Sequence, residues 1–228
     1  MHLDVNLIRA LPLFGGLSDE NFAALMSEAS SQRYPAHVRL ITEGSSPEFL
    51  HIVLEGAVEM FGSHDEHETT IEILRPVTAF ILAEVISDAV YLKSARTLAP
   101  CQIATIPAKT VRDVFERDAG FARAIVKELA ERYRGLVRSL KNEKLRGSAE
   151  RLANWLLQNY AQQGRRPCIE LAFDKRTLAS SLGMTPENLS RNLALLAKYG
   201  VKSAGRDIII EDAPALEKFA KPNALIDG

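Results

Sequence analysis

The stretch "DAGFARAIVKELAERYRGLVRSLKNEKLR", residues 118–146, holds no proline and is rich in strong helix formers. It predicts one long, unbroken helix. The text on either side differs in character from it and from each other, so the chain must build separate cores before and after. A length of 228 residues allows one large domain or two modest ones. Within the helix, Val126, Leu129, Tyr133, Leu136 and Leu140 recur at spacings of three, four, three and four, an a/d seam flanked by Lys, Glu and Arg. Such a seam could pack on its own domain. The charged and polar character of most other positions favours pairing, in parallel, with a second copy. "RGS" at 146–148 ends the run, and Ser148 with Glu150 and Arg151 opens the amphipathic helix "AERLANWLLQNYA". The expected division is 1–117 for a first domain, 118–146 for a dimerisation helix and 147–228 for a second domain.

The part before the helix alternates short apolar runs with turn residues. "HVRLITEG" ends at Gly44, and "FLHIVLEGAVEMFG" has Gly56 at its middle and Gly62 at its end. These runs predict half-buried strands, with Leu50, Ile52 and Leu54 on one face and Val58 and Met60 on another. "TTIEIL" and "CQIATIP" continue the pattern, and "DENFAALMSEA" ahead of them has helical spacing. Several short strands with glycine turns indicate a small antiparallel barrel or jelly roll. The expected fold class is α+β.

With 28 Lys and Arg against 29 Asp and Glu, the formal net charge is −1. Any nucleic-acid contact must therefore come from a local patch. Cys101 and Cys168 are the only cysteines and lack metal-site spacing, so they read as reduced thiols, and a four-cysteine iron–sulfur cluster is excluded within one chain. The N-terminus does not read as a signal peptide, and the most apolar stretch, "FILAEVI", is too short to span a bilayer. A cytoplasmic protein without a membrane association is expected. No phosphate loop, nucleophile elbow or H-E-x-x-H is present, so an enzyme is not expected.

Past "QQGRRP" and an expected strand "CIELAF", Asp174 can cap the helix "KRTLASSLG". Counting from Lys175, Ala179 is fifth, Gly183 ninth and Leu189 fifteenth. A helix-turn-helix needs those types there: a small residue where the helices cross, glycine for the turn and an apolar residue to pin the pair. Thr185 is a natural N-cap and Pro186 a natural first residue for the second helix. Leu189, Leu193 and Leu196 then face inward, leaving Glu187, Ser190 and Arg191 together outside. Near a recognition-helix N-terminus these are base-reading chemistry: arginine donates a fork to guanine, glutamate accepts from cytosine, serine adapts. "YGVKSAGRDIIIED" reads as a two-stranded wing turning at Gly205-Arg206-Asp207. Lys198, Lys202 and Arg206 lie near enough to meet phosphate, with Thr185 beside them at the helix start.

Taken with "EG…FLHIVLEGAVEMF", the long helix and "PENLSR", the chain resembles the CRP/FNR family of bacterial transcription regulators. The resemblance implies a jelly-roll sensor, a dimer helix and a C-terminal winged helix, in a homodimer bound to palindromic double-stranded DNA and acting on RNA polymerase. "PENLSR" resembles the FNR branch, which implies that Glu187, Ser190 and Arg191 read a TTGAT-like half-site. Where the cyclic-AMP branch carries a further arginine, this chain has Pro186.

The sensor departs from the family's nucleotide-binding pattern. No glycine occurs between Gly62 and Gly120. A gap-free placement puts the family's phosphate-binding arginine on Tyr91 and its serine on Leu92. A two-residue slip offers Lys93-Ser94-Ala95, but lysine supplies no guanidinium fork, and Glu84 would repel a phosphate. Cyclic-AMP binding is therefore not expected. Haem sensing of nitric oxide or carbon monoxide stays open, with His2 or His51 as the candidate ligands. His64 and His67 suit an exposed hairpin turn. A ligand-free or thiol-sensing regulator is also open, although Cys101 suits inert packing. So is a ligand-binding module whose winged helix docks protein rather than DNA.

Overall fold

The computed structural model describes residues 3–65, 67–205 and 207–228. It divides into two compact units, one up to Tyr133 and one from Arg134, with the division inside the long helix. In the first unit the helices α1 (Val5–Arg9) and α2 (Asp19–Ser27) precede the strands β1 (Ser30–Tyr34), β2 (Arg39–Ile41), β3 (Phe49–Glu55), β4 (Val58–His64), β5 (His67–Leu74) and β6 (Thr78–Phe80). Then follow α3 (Leu82–Ser87), β7 (Ser94–Thr97), β8 (Cys101–Pro107), α4 (Ala108–Arg117) and the long helix α5 (Ala119–Leu145). The strands form two antiparallel sheets, ordered β1-β8-β3-β6 and β2-β7-β4-β5. Both contribute to one core, with Leu50, Ile52 and Ile103 from one sheet and Val58, Met60 and Ala95 from the other.

One expectation is corrected here. The central strand β3 is not half-buried: His51 and Val53 are buried as well as Leu50, Ile52 and Leu54. β3 lies between β8 and β6, and α3 and α4 pack against it, so both faces lose water.

The start of α5 is held by Asp118. Its carboxylate accepts from the amide of Phe121 (3.0 Å), the Asn21 amide group (2.9 Å) and the amide of Ser18 (3.1 Å). These bonds, led by Phe121, hold the carboxyl below the usual carboxylate range. Phe121 and Ile125 point into the core, Leu129 packs half-buried against it, and Arg132 donates to the carbonyl of Ala79 (2.5 Å). The first turns of α5 thus lie on their own unit. They do so through Gly120, where an added Cβ would collide with the backbone carbonyl of Gly16. Gly120→Ala is expected to destabilise the chain by at least about 1–3 kcal/mol, because backbone cannot retreat as a flexible side chain can. The midpoint of denaturant unfolding measures this, and an unchanged midpoint would show that α5 does not sit so closely.

The second unit continues from α5 into α6 (Ser148–Gln162), β9 (Cys168–Ile169), α7 (Lys175–Ser181), α8 (Pro186–Leu196), β10 (Val201–Ala204), β11 (Asp207–Ile210), α9 (Ala213–Ala220) and α10 (Ala224–Asp227). The strands pair in the order β10-β11-β9. Leu152, Leu156, Leu178, Leu189, Leu196 and Leu216 are buried in this unit. The expected strand "CIELAF" is shortened. Its ladder with β11 covers only Cys168 and Ile169, and Leu171 and Phe173 are buried outside it.

Candidate nucleic-acid interface

The helix pair α7–α8 is built by local caps. Asp174 accepts from the amide of Thr177 (2.8 Å), and the Thr185 hydroxyl from the amide of Asn188 (3.2 Å), each satisfying a first-turn donor. Pro186 occupies the first turn of α8, where its missing N–H costs nothing. Between the helices Gly183 adopts φ +61°, in the region that favours glycine, and the amide of Met184 donates to the carbonyl of Ala179 (3.0 Å). Ala179 and Leu189 are buried, as the spacing requires.

The packing of α8 leaves Glu187, Ser190 and Arg191 exposed on its N-terminal half. Leu189 and Leu196 are buried, Leu193 is half-buried, and Asn192 joins the inward face with its amide against the sulfur of Met184 (3.5 Å). Asn192 was hidden in sequence because a polar type at an inward position carries no signal of burial. The Glu187 carboxyl is held below the usual range by its own backbone amide and the Thr185 hydroxyl, with Arg191 and Arg176 adding attraction. It is therefore an anion, an acceptor rather than a donor.

Two cations that the sequence did not single out stand at the same place. Lys175 and Arg176, the first residues of α7, line a cleft of about 530 Å³ with Pro186, Ser190, Lys202 and Ser203. Lys175 donates to the Ser203 hydroxyl (2.5 Å) and the Gly205 carbonyl (2.7 Å), tying α7 to the strand pair β10–β11. Nothing in spacing brings position 175 next to 203; the fold does. Lys202 is paired with Glu211 (2.7 Å) at an exposed position, and Lys198 is exposed. Arg206 lies outside the described residues.

Along α5, Val126 and Tyr133 in the first unit and Leu136 and Leu140 in the second are each more than half exposed. Large apolar side chains at a regular spacing are thus left in water, while Leu129 is half-buried on its own unit.

In the first unit β7 starts at Ser94, paired with Phe61, so Lys93 and the exposed Leu92 lie just before the strand. The Ser94 hydroxyl accepts from the amide of Glu43 (3.0 Å). Arg96 is committed to Glu59 (2.7 Å) and Glu68 (2.6 Å), and its guanidinium lies over the Phe61 ring. Glu84 is buried at the first turn of α3. His51 is buried against Phe80 and Phe49, with Nδ1 3.1 Å from the Phe49 carbonyl oxygen. His2 lies outside the described residues. Cys101 is buried and its thiol is pushed up by desolvation; Cys168 is exposed. Among the described residues no group of three or more His, Cys, Asp or Glu is placed to hold a metal ion, and no helix is long and apolar enough to cross a membrane.

Comparison with known proteins agrees with this geometry. Residues 150–219 match the model of a Crp-like helix-turn-helix domain, and residues 31–118 that of a cyclic nucleotide-binding domain. FixK2 from Bradyrhizobium japonicum is similar with a TM-score of 0.76 at 18% identity, over 86% of this chain and 99% of that one. A CooA mutant from Carboxydothermus hydrogenoformans gives 0.74 at 20%, over 96% and 98%. A regulatory protein from Silicibacter pomeroyi DSS-3, to which cAMP binding has been ascribed, gives 0.65 at 26%, over 96% and 98%. No curated protein matches the sequence.

Proposed function

This chain belongs to the CRP/FNR family of DNA-binding transcription regulators, and we propose that it acts in the cytoplasm as a homodimer reading a palindromic site with TTGAT-like half-sites. The observation that carries the reading is the exposed trio Glu187, Ser190 and Arg191 at the start of a capped, firmly packed α8. Arg191 donates its fork to a guanine, Glu187 accepts from a cytosine amine, and Ser190 makes the adaptable contact. Lys175, Arg176, Lys198, Lys202 and Arg206 supply cations for the flanking phosphates, and Thr185 a hydroxyl. The two copies pair along α5 through Val126, Tyr133, Leu136 and Leu140, with Leu129 at the edge of the seam. At a promoter such a dimer acts on RNA polymerase. Its chemistry is recognition, with no catalytic step.

The sensor unit has the fold of a cyclic nucleotide-binding domain without its phosphate donors. Ser94 is spent on the backbone of Glu43, Arg96 on two glutamates, and the remaining basic group, just before β7, is Lys93, a point charge. This supports a sensor that does not bind cyclic nucleotides. His51, with Nδ1 on a carbonyl and its ring packed on Phe80, serves as a core residue rather than a haem ligand.

Arg191→Ala is expected to lose discrimination at one G·C pair of the half-site by about 1–3 kcal/mol, or about 5- to 150-fold in affinity ratio. Fluorescence anisotropy with cognate and base-swapped duplexes at fixed salt measures it. An unchanged ratio would remove Arg191 from the reading head. Affinity that does not fall with added salt would remove the phosphate contacts too.

A further inference from the structure

The helices α5 and α6 meet at an elbow, Arg146-Gly147, and the segment 223–227 closes over it. Asp227 receives both terminal nitrogens of Arg146, Nη1 to Oδ1 and Nη2 to Oδ2, each at 2.6 Å. The side chains are 7% and 14% exposed, so the pair is largely out of water. Arg146 Nη1 also donates to Asn142 in the last turns of α5 (3.1 Å). Around the pair, Lys141 donates to the Leu225 carbonyl (3.2 Å), and the amide of Asn223 to the Asp227 carboxylate (2.7 Å). On the other side, the backbone carbonyl of Arg146 accepts from Nη1 of Arg151 (2.9 Å). The same guanidinium donates to the carbonyls of Leu182 (3.0 Å) and Gly183 (3.2 Å), the turn between α7 and α8.

From this we infer that Asp227, Arg146 and Arg151 form a clamp that makes the turn of the helix-turn-helix move as one piece with the last turns of α5. Three properties carry the inference. The path is continuous, from Asn142 through Arg146 and Arg151 to Gly183. Its members are guanidinium forks, whose planar geometry fixes direction as well as distance. The ion pair is shielded, so loss of one partner strands a charge and opens the elbow rather than leaving it slack in solvent. These are positioning residues, since none lies on the reading face. Resting on the proposed DNA reading, the clamp sets the angle at which α8 leaves the α5 seam, and two-fold symmetry applies any change twice to the separation of the two reading heads.

The test begins with the free protein. Hydrogen exchange is measured for the full chain, for Asp227→Asn and for Arg146→Lys, which keeps the charge and loses the fork. Both variants are expected to speed exchange about tenfold at the elbow amides 145–151 and at the turn amides 182–184, with the amides of β3 and β8 unchanged. Unchanged exchange at 182–184 in the variant that stays folded overturns the clamp. The second measurement uses duplexes bearing two inverted TTGAT half-sites, their separation stepped one base pair at a time about one helical turn. The parent chain is expected to peak at one separation and the variants to flatten that profile, while preference for TTGAT over a scrambled half-site is kept. A variant profile as sharp as the parent's overturns the positioning role. A parent chain indifferent to TTGAT means the DNA reading has failed, and the exchange result still decides the clamp.

Discussion

Leu136→Glu combined with Leu140→Glu is expected to turn the proposed homodimer into a monomer and to lower affinity for a two-half-site duplex by about 100- to 10,000-fold, the gain that linking two binding heads confers. Both side chains are more than half exposed, so the substitutions disturb no core. The magnitudes make the seam sensitive. Burying the exposed part of each large apolar side chain contributes about 1–2 kcal/mol. Four such residues from each copy only just exceed the entropic cost of association, about 4–15 kcal/mol. Carboxylates placed opposite their own copies in a parallel pairing remove that margin and add repulsion. Sedimentation at micromolar concentration reads the assembly, and anisotropy reads the DNA affinity. A variant that still sediments as a dimer would place the interface elsewhere.

The second large effect concerns His51. Burial lowers its pKa from 6.5 to about 4, only partly offset by the Phe49 carbonyl. The folded chain keeps this ring neutral where the unfolded chain protonates it, so the unfolded state binds more protons between pH 6.5 and 4. Stability therefore falls as pH drops through that window and levels off below pH 4, for a loss of about 3 kcal/mol from this group. Urea unfolding at steps between pH 7 and pH 4 measures the slope. His51→Phe is expected to remove that part of it, whatever it does to the level at pH 7. Equal slopes in the two proteins would mean that the ring takes up its proton in the folded state, and the packing on Phe80 would be misassigned.

How far the molecule can be read from its text depends on how far apart the interacting residues lie. The winged helix is legible because its signals are local. Asp174, Ala179, Gly183, Thr185, Pro186 and Leu189 span few residues, and each meets a requirement of cap, crossing or turn. The long helix is legible for the same reason, since propensity and spacing act within a few turns. In the first unit β2, β3, β4, β5 and β8 announce themselves by composition, while β1, β6 and β7 do not, and no strand announces its partner. That β3 sits between β8 and β6, buried on both faces, follows from non-local pairings, such as Phe49 with Pro107 and His51 with Phe80. The pattern in "FLHIVLE" did not reveal the second buried face, because a polar residue, His51, sits in the middle of it.

The exposed trio on α8 was visible in sequence, while Lys175 and Arg176 were not, since they start another helix and only its packing with α8 brings them to the cleft. The same limit hid the link between Arg146 and Asp227, 81 residues apart. What the sequence determined alone is the long helix α5, the capped pair α7–α8 and the residue types left outside on α8, because helix propensity, capping and turn geometry are short-range. What tertiary structure decided is which face each element loses to water and which distant charges meet. Burial and ion pairing depend on long-range packing, and no local pattern encodes it.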